Sequence, residues 1–191
     1  PYSASKAGAE IITQSYAQSF LKEKRVVTAR AGNIIGGGDF SPERLVPNYV
    51  RAVQNNQKPN LRSPQALRPW QHVLDAISGY LSVVAHMEKQ PAGYIDAFNI
   101  GPDEPSRQTV LQVVTELANQ WGRAPEYGLE ETDPLMKETQ YLWLQSDKVK
   151  KLTGWKPQLE FKSSLAWTAD WYKAYLASQD LRAKTTEQIE E

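Results

Sequence analysis

Cysteine is absent from these 191 residues, and histidine occurs only twice. The first absence excludes disulfides, thiolate metal sites and a cysteine nucleophile, and it agrees with a reducing compartment. The second leaves little from which to build a zinc site, so no metal is expected. Net charge is missing as well: 22 Lys and Arg balance 22 Asp and Glu. No global field favours nucleic acid or an anionic membrane, and an anionic ligand has to be gripped locally. No apolar run approaches the roughly 18 residues of a membrane span, and the first residues lack the basic and apolar regions of a signal peptide. A cytoplasmic protein is the default expectation. What is present is a 40% hydrophobic chain, long enough for one substantial core or two small ones.

Periodicity divides the chain into alternating strand and helix. Ala4, Ala7, Ile11, Ile12, Tyr16, Phe20 and Leu21 recur at near-helical spacing, which predicts a long first helix from Tyr2 to about Lys22. Val26 to Ala31 reads as a parallel strand leading to the glycine turn Gly36 to Gly38, and the site side of the sheet should lie there. RLVPNYVRAVQNN and HVLDAISGYLSVVAHMEK predict two further helices, the second with Val73, Ile77, Leu81 and Val84 on an apolar stripe. YIDAFNIG is a second strand, and SRQTVLQVVTELANQWG a helix capped at Ser106 and ending before Gly122. YLWLQSDKVKKLTGW predicts a brief strand and a short helix capped at Ser146, with Gly154 at its end. A last amphipathic helix carries Leu165, Trp167, Trp171 and Tyr175, before a polar, frayed tail from Asp180.

Two stretches bear on chemistry. A dinucleotide site would bring a glycine-rich turn that opens a helix, with an acid some twenty residues later. GNIIGGGDF does not supply it, because Asp39 and Pro42 follow in loop-like sequence. The other stretch is YSASK, which puts Tyr2 and Lys6 on one helix face. An ammonium beside a phenol favours the phenolate a general base needs, although Y-x-x-x-K also arises by chance on many helices.

YSASKAGAE is followed, in order, by RAGNIIGGGDF, ERLVPNYVRAV, LRPWQHVLDAISGYL, FNIG and KLTGWKPQLEF. With this ordered set, from Pro1 to about Tyr175, the sequence resembles the extended short-chain dehydrogenase/reductase superfamily. GNIIGGGDF and ALRPWQHV make it most similar to the CDP-glucose 4,6-dehydratase branch. The resemblance implies an α/β fold: the end of a Rossmann-type sheet plus the small α/β sugar-nucleotide-binding lobe over residues 1–179, then a tail over 180–191. The N-terminal dinucleotide-binding half is expected to be absent from this chain.

For the site, the resemblance implies that Tyr2 is the catalytic base and Lys6 its partner, both also touching NAD in the complete enzyme. Asn33 falls near the substrate diphosphate, Arg44 and Leu45 along the nucleotide, and Arg68 on the diphosphate. Glu138 and Tyr141 belong to a late strand that closes the site. Asp103 stands where related dehydratases often carry an amide. Arg51 reads as the solvated face of a helix, and Trp70, His72, Trp143 and Trp155 as core or wall.

The implied reaction converts CDP-glucose to its 4-keto-6-deoxy product. The hydroxyl and acid residues for the elimination lie upstream in the family, so this chain is expected to bind no NAD and to be inactive alone. The expected partners are a nucleotide sugar and a second copy, through the first helix or exposed sheet surface. Two alternatives stand beside this reading: a related nucleotide-sugar epimerase or decarboxylase, and a non-catalytic nucleotide-sugar binding or assembly module.

Overall fold

The computed structural model describes residues 1–103, 106–130 and 139–191. Helix α1 (Tyr2–Phe20) forms from an alanine-rich, proline-free run, and strand β1 (Val26–Ala31) follows it. After β2 (Asn33–Ile35) and the glycine turn come α2 (Leu45–Gln54), β3 (Asn60–Leu61) and β4 (Leu67–His72). Helix α3 (Val73–Glu88) then leads to β5 (Ile95–Ile100), β6 (Arg107–Thr109), α4 (Val110–Gln120) and β7 (Gly128–Leu129). Helices α5 (Asp147–Thr153), α6 (Phe161–Leu176) and α7 (Leu181–Glu190) complete the order.

Pairing is mainly parallel. β1 pairs with β5 from Val26↔Ile95 to Ala31↔Ile100; β4 pairs in parallel with β2 and antiparallel with β6; β3 and β7 form a pair of their own. Alternation along β1 sends Thr28 and Arg30 to α1 and Val27 to the opposite side, where it packs with Val83, Phe98 and Ile100. Helices α1 and α3 therefore lie on opposite faces of the β1–β5 pair. A larger core gathers Ile35, Tyr49, Leu61, Trp70, Leu117, Leu165 and Tyr172. The buried Gln71 amide donates to the Ile100 carbonyl across 3.2 Å, tying β4 to β5 where no backbone ladder joins them.

Several expectations need correction. Helix α4 is capped not by Ser106 but by Thr109, whose hydroxyl accepts from the Gln112 N–H while the Gln112 side chain accepts from the Thr109 N–H. This reciprocal box outcompetes a lone serine. Ser146 precedes α5 without a side-chain cap bond and instead donates to the Gly101 carbonyl, whereas Gly154 closes α5 in the left-handed region as expected. The strand expected over 141–145 reduces to one bridge, Leu67↔Tyr141. The stripe of α3 is turned outward: Ile77, Leu81 and Val84 are exposed, and Ala76, Gly79 and Val83 are the buried positions. On α1 only Ala17 is buried, and polar contacts with β1 hold the helix.

The frayed tail is also overturned. Asp180 accepts from the Arg182 and Ala183 N–H groups and starts α7. The helix is then latched to α6, because the Trp171 indole donates to Thr185 Oγ1 and Gln188 donates to the Trp167 carbonyl.

Candidate active site

A cleft of about 750 Å3 opens where β1 and β2 end and the glycine turn begins, the side of a parallel sheet where ligands gather. Five residues singled out in the sequence line it together: Tyr2, Asn33, Arg44, Leu45 and Arg68. Asn33 sits in β2 opposite Trp70, so strand register fixes its position. Arg44 precedes the first turn of α2 in extended conformation (φ −95°, ψ 141°), and Leu45 begins that helix. Arg68 is only 7% exposed; β4 holds it in place, and its Nη1 donates to the Leu67 carbonyl at 2.9 Å.

Of the remaining candidates Trp70 lines the cleft wall, and the others stand outside this lining. Lys6 lies one turn along α1 from Tyr2, its Nζ 5.5 Å from the centroid of the Tyr2 ring. Tyr141 and Trp143 flank Arg107, whose guanidinium carbon is 5.6 and 4.5 Å from their ring centroids. Asp103 is paired with Lys150, and Glu138 falls outside the described residues. Trp70, His72 and Trp155 are buried, as expected of core or wall, whereas Trp143 is half-exposed.

The glycine turn of the wall is shaped by α6. A Cβ on Gly37 would lie 2.1 Å from the Trp171 ring, so only glycine admits this approach, and Gly38 takes a positive φ of 82°. Phe40 then inserts among Trp171, Tyr172 and Tyr175, with ring centroids 6.3, 5.9 and 4.9 Å away. The Tyr172 hydroxyl donates to the Asp39 carbonyl, and burial with the nearby Asp39 charge pushes that phenol up to about 12, so it stays a donor. Arg51, expected on a solvated face, instead donates to the Phe40 and Ser41 carbonyls, because the loop carbonyls lie within its reach.

Sequence reasoning missed four further charges on the cleft, Asp39, Glu43, Arg62 and Glu130. Arg62 follows β3 and donates Nε to Glu130 Oε2 at 3.1 Å, with Nη2 3.6 Å from Glu43. Glu43 itself has a φ of 60°, a strained conformation for a non-glycine residue. No periodicity marks Arg62, and its partner Glu130 is 68 residues away, so only the β3–β7 pairing brings them together.

Beneath the cleft, His72 is 1% exposed, and burial pushes its imidazole down to about 4. Its Nδ1 accepts from the Leu74 N–H, which puts the ring proton on Nε2. One residue further into α3, the Asp75 carboxylate accepts from the Gln158 and Leu159 N–H groups at 2.7 and 3.1 Å; burial still raises it above the ordinary carboxylate range. Among the described residues no group of His, Asp and Glu has the makings of a metal site, and no helix is long and apolar enough to cross a membrane.

The model of the NAD dependent epimerase/dehydratase family matches residues 1–101, more than half of the chain. The chain belongs to this family. Among curated proteins it is 33% identical over 189 residues to CDP-glucose 4,6-dehydratase of Salmonella typhimurium, covering 95% of this chain and 52% of that protein. Among solved structures, dTDP-glucose 4,6-dehydratase from Bacillus anthracis in complex with NAD superposes with a TM-score of 0.74 at 26% identity, over 94% of this chain and 54% of that one. DesIV, the Streptomyces venezuelae dTDP-glucose 4,6-dehydratase, reaches 0.78 at 24% identity over 94% and 53%, which supports the Rossmann-type fold. This epimerase/dehydratase chain thus spans about half the length of the relatives it matches.

Proposed function

We propose that this chain is the C-terminal, substrate-holding portion of a nucleotide-sugar 4,6-dehydratase that acts on CDP-glucose. The observation that carries the reading is the convergence of Tyr2, Asn33, Arg44, Leu45 and Arg68 on one cleft. A phenol for proton transfer, an amide and two guanidinium groups are what a sugar linked to a diphosphate requires. Arg68 offers two parallel charge-assisted hydrogen bonds to the diphosphate, Arg44 adds a second positive charge, and Asn33 donates its amide beside them. Tyr2, as its phenolate, takes the proton from the sugar C4 hydroxyl and becomes the neutral phenol, and the Lys6 ammonium beside its ring balances the phenolate charge before the transfer.

NAD, when bound, would supply hydride-transfer chemistry at the sugar. A hydroxyl and an ammonium on one exposed face of α1 fit the hydroxyls of its nicotinamide ribose, so Tyr2 and Lys6 would hold that part. The described residues offer no glycine-rich turn opening a helix for its pyrophosphate: Gly36 to Gly38 lead into a loop against Trp171. Within these 191 residues the reading assigns the hold on the nucleotide sugar and the proton transfer at C4.

Calorimetric titration with CDP-glucose tests the reading. Arg68→Ala should weaken binding by roughly 1.5–3 kcal/mol, the scale of hydrogen bonds to charged groups, and Arg68→Lys should restore only part. Thermal melts of the same variants separate lost affinity from lost folding. Equal affinity of folded wild type and Arg68→Ala would show that Arg68 merely braces β4.

A further inference from the structure

We infer that Arg62 and Glu130 read the base of the bound nucleotide and select cytosine over uracil or thymine. The inference rests on the nucleotide-sugar reading above and deepens it. A nucleotide sugar runs from sugar through diphosphate and ribose to base. With the sugar at Tyr2 and the diphosphate at Arg68, a further polar set in the lining, Asn60, Arg62, Ser63 and Glu130, comes from the separate β3–β7 pair and the residues beside it. There Arg62 and Glu130 stand side by side, a donor next to an acceptor.

The pair is placed rather than loose. Glu130 ends the β7 pairing, its N–H donating to the Leu61 carbonyl at 3.0 Å, and Leu61 is 2% exposed, so both backbones are anchored. Arg62 commits Nε to Glu130 Oε2 and turns Nη2 toward Glu43, which leaves Nη1 for a ligand; Glu130 likewise keeps Oε1. The side chains of Arg62 and Glu130 are 47% and 42% exposed, open enough to meet a ligand.

Cytosine presents an acceptor edge, N3 and O2, beside an amino donor, N4. Arg62 Nη1 donates to O2, the acceptor that all three pyrimidines share, while Glu130 Oε1 accepts from N4. In the same pose uracil and thymine turn the O4 carbonyl toward Glu130, setting two oxygens against each other with no proton between them. Discrimination therefore depends on the carboxylate, and overall affinity on the guanidinium.

Titration of the 191-residue chain with CDP, UDP and dTDP decides the matter. Wild type should prefer CDP by about tenfold, the scale of a good two-point base contact. Glu130→Gln, whose amide can donate to O4, should bring the three nucleotides within about threefold, and Arg62→Gln should weaken CDP by a similar tenfold factor. Wild type without a CDP preference, or Glu130→Gln retaining one, overturns the inference while the nucleotide-sugar reading stands. Folded wild type that binds none of the three overturns both. Thermal melts confirm folding of each variant, and Arg62→Gln gives a second route should Glu130→Gln fail to fold.

Discussion

His72 gives the sharpest consequence at the scale of one residue. Its folded imidazole titrates at about 4 because it is buried, while in the unfolded chain it titrates near 6.5. As pH falls below 6.5 the unfolded chain gains the proton first, so stability is lost between about 6.5 and 4, roughly 3 kcal/mol in all; above 6.5 the residue contributes no slope. Asp75, raised by its own burial, works in the opposite direction and remains in both proteins of the comparison. Urea unfolding at pH 7 and pH 5 should show His72→Phe losing about 2 kcal/mol less than wild type over that interval. Equal slopes would place the pH sensitivity elsewhere. The cleft residues legible in the sequence were those inside ordered motifs, such as Asn33 in GNIIGGG and Arg68 in LRPWQH. Arg62 and Glu130 were not legible, because their meaning arises from a strand pair that closes 68 residues of chain.

Among the elements, glycine means opposite things in α1 and in the turn after β2. A Cβ on Gly37 meets the Trp171 ring at 2.1 Å, whereas a Cβ on Gly8 of α1 meets nothing within 4 Å. Gly37→Ala should destabilise by about 1–3 kcal/mol through overpacking, and Gly8→Ala should stabilise by about 0.5–1 kcal/mol through helix propensity. Chemical denaturation of the two variants checks both signs, and a neutral Gly37→Ala would show that α6 yields to the turn. The pattern of helix and strand was legible at this scale because apolar periodicity and β-branched runs report it directly. Facing was less legible. Ile77, Leu81 and Val84 form a stripe on α3 as regular as a buried one, yet Ala76, Gly79 and Val83 face the sheet, since Gly79 lets the helix approach Ile100. The last helix escaped notice because α7 is polar and stands on its Asp180 cap and its bonds to α6 rather than on an apolar face.

For the whole molecule, the β1–β5 pair is flanked by two helices that turn apolar side chains to solvent. Ile11, Ile12, Tyr16 and Phe20 on α1 are 67%, 63%, 58% and 71% exposed, and Leu81 on α3 is 64% exposed. Contiguous apolar surface of this kind drives association, and the edge of β1 that pairs with no other strand among the described residues adds to it. Sedimentation at micromolar concentration should therefore find dimers or larger species, reduced by Ile12→Glu together with Phe20→Lys; a compact 21.6 kDa monomer would refute the expectation. The aromatic group beside the cleft has a consequence of another kind. Trp171 and Tyr175 stack with planes 10° apart, and Phe40 is held against both while its backbone continues the glycine turn. Rings locked in a chiral arrangement absorb left and right circularly polarised light unequally, so this cluster carries a near-ultraviolet dichroism signal of its own. Whatever shifts the turn rotates Phe40 against the stacked pair, and the wall of the cleft thereby writes its conformation into the spectrum.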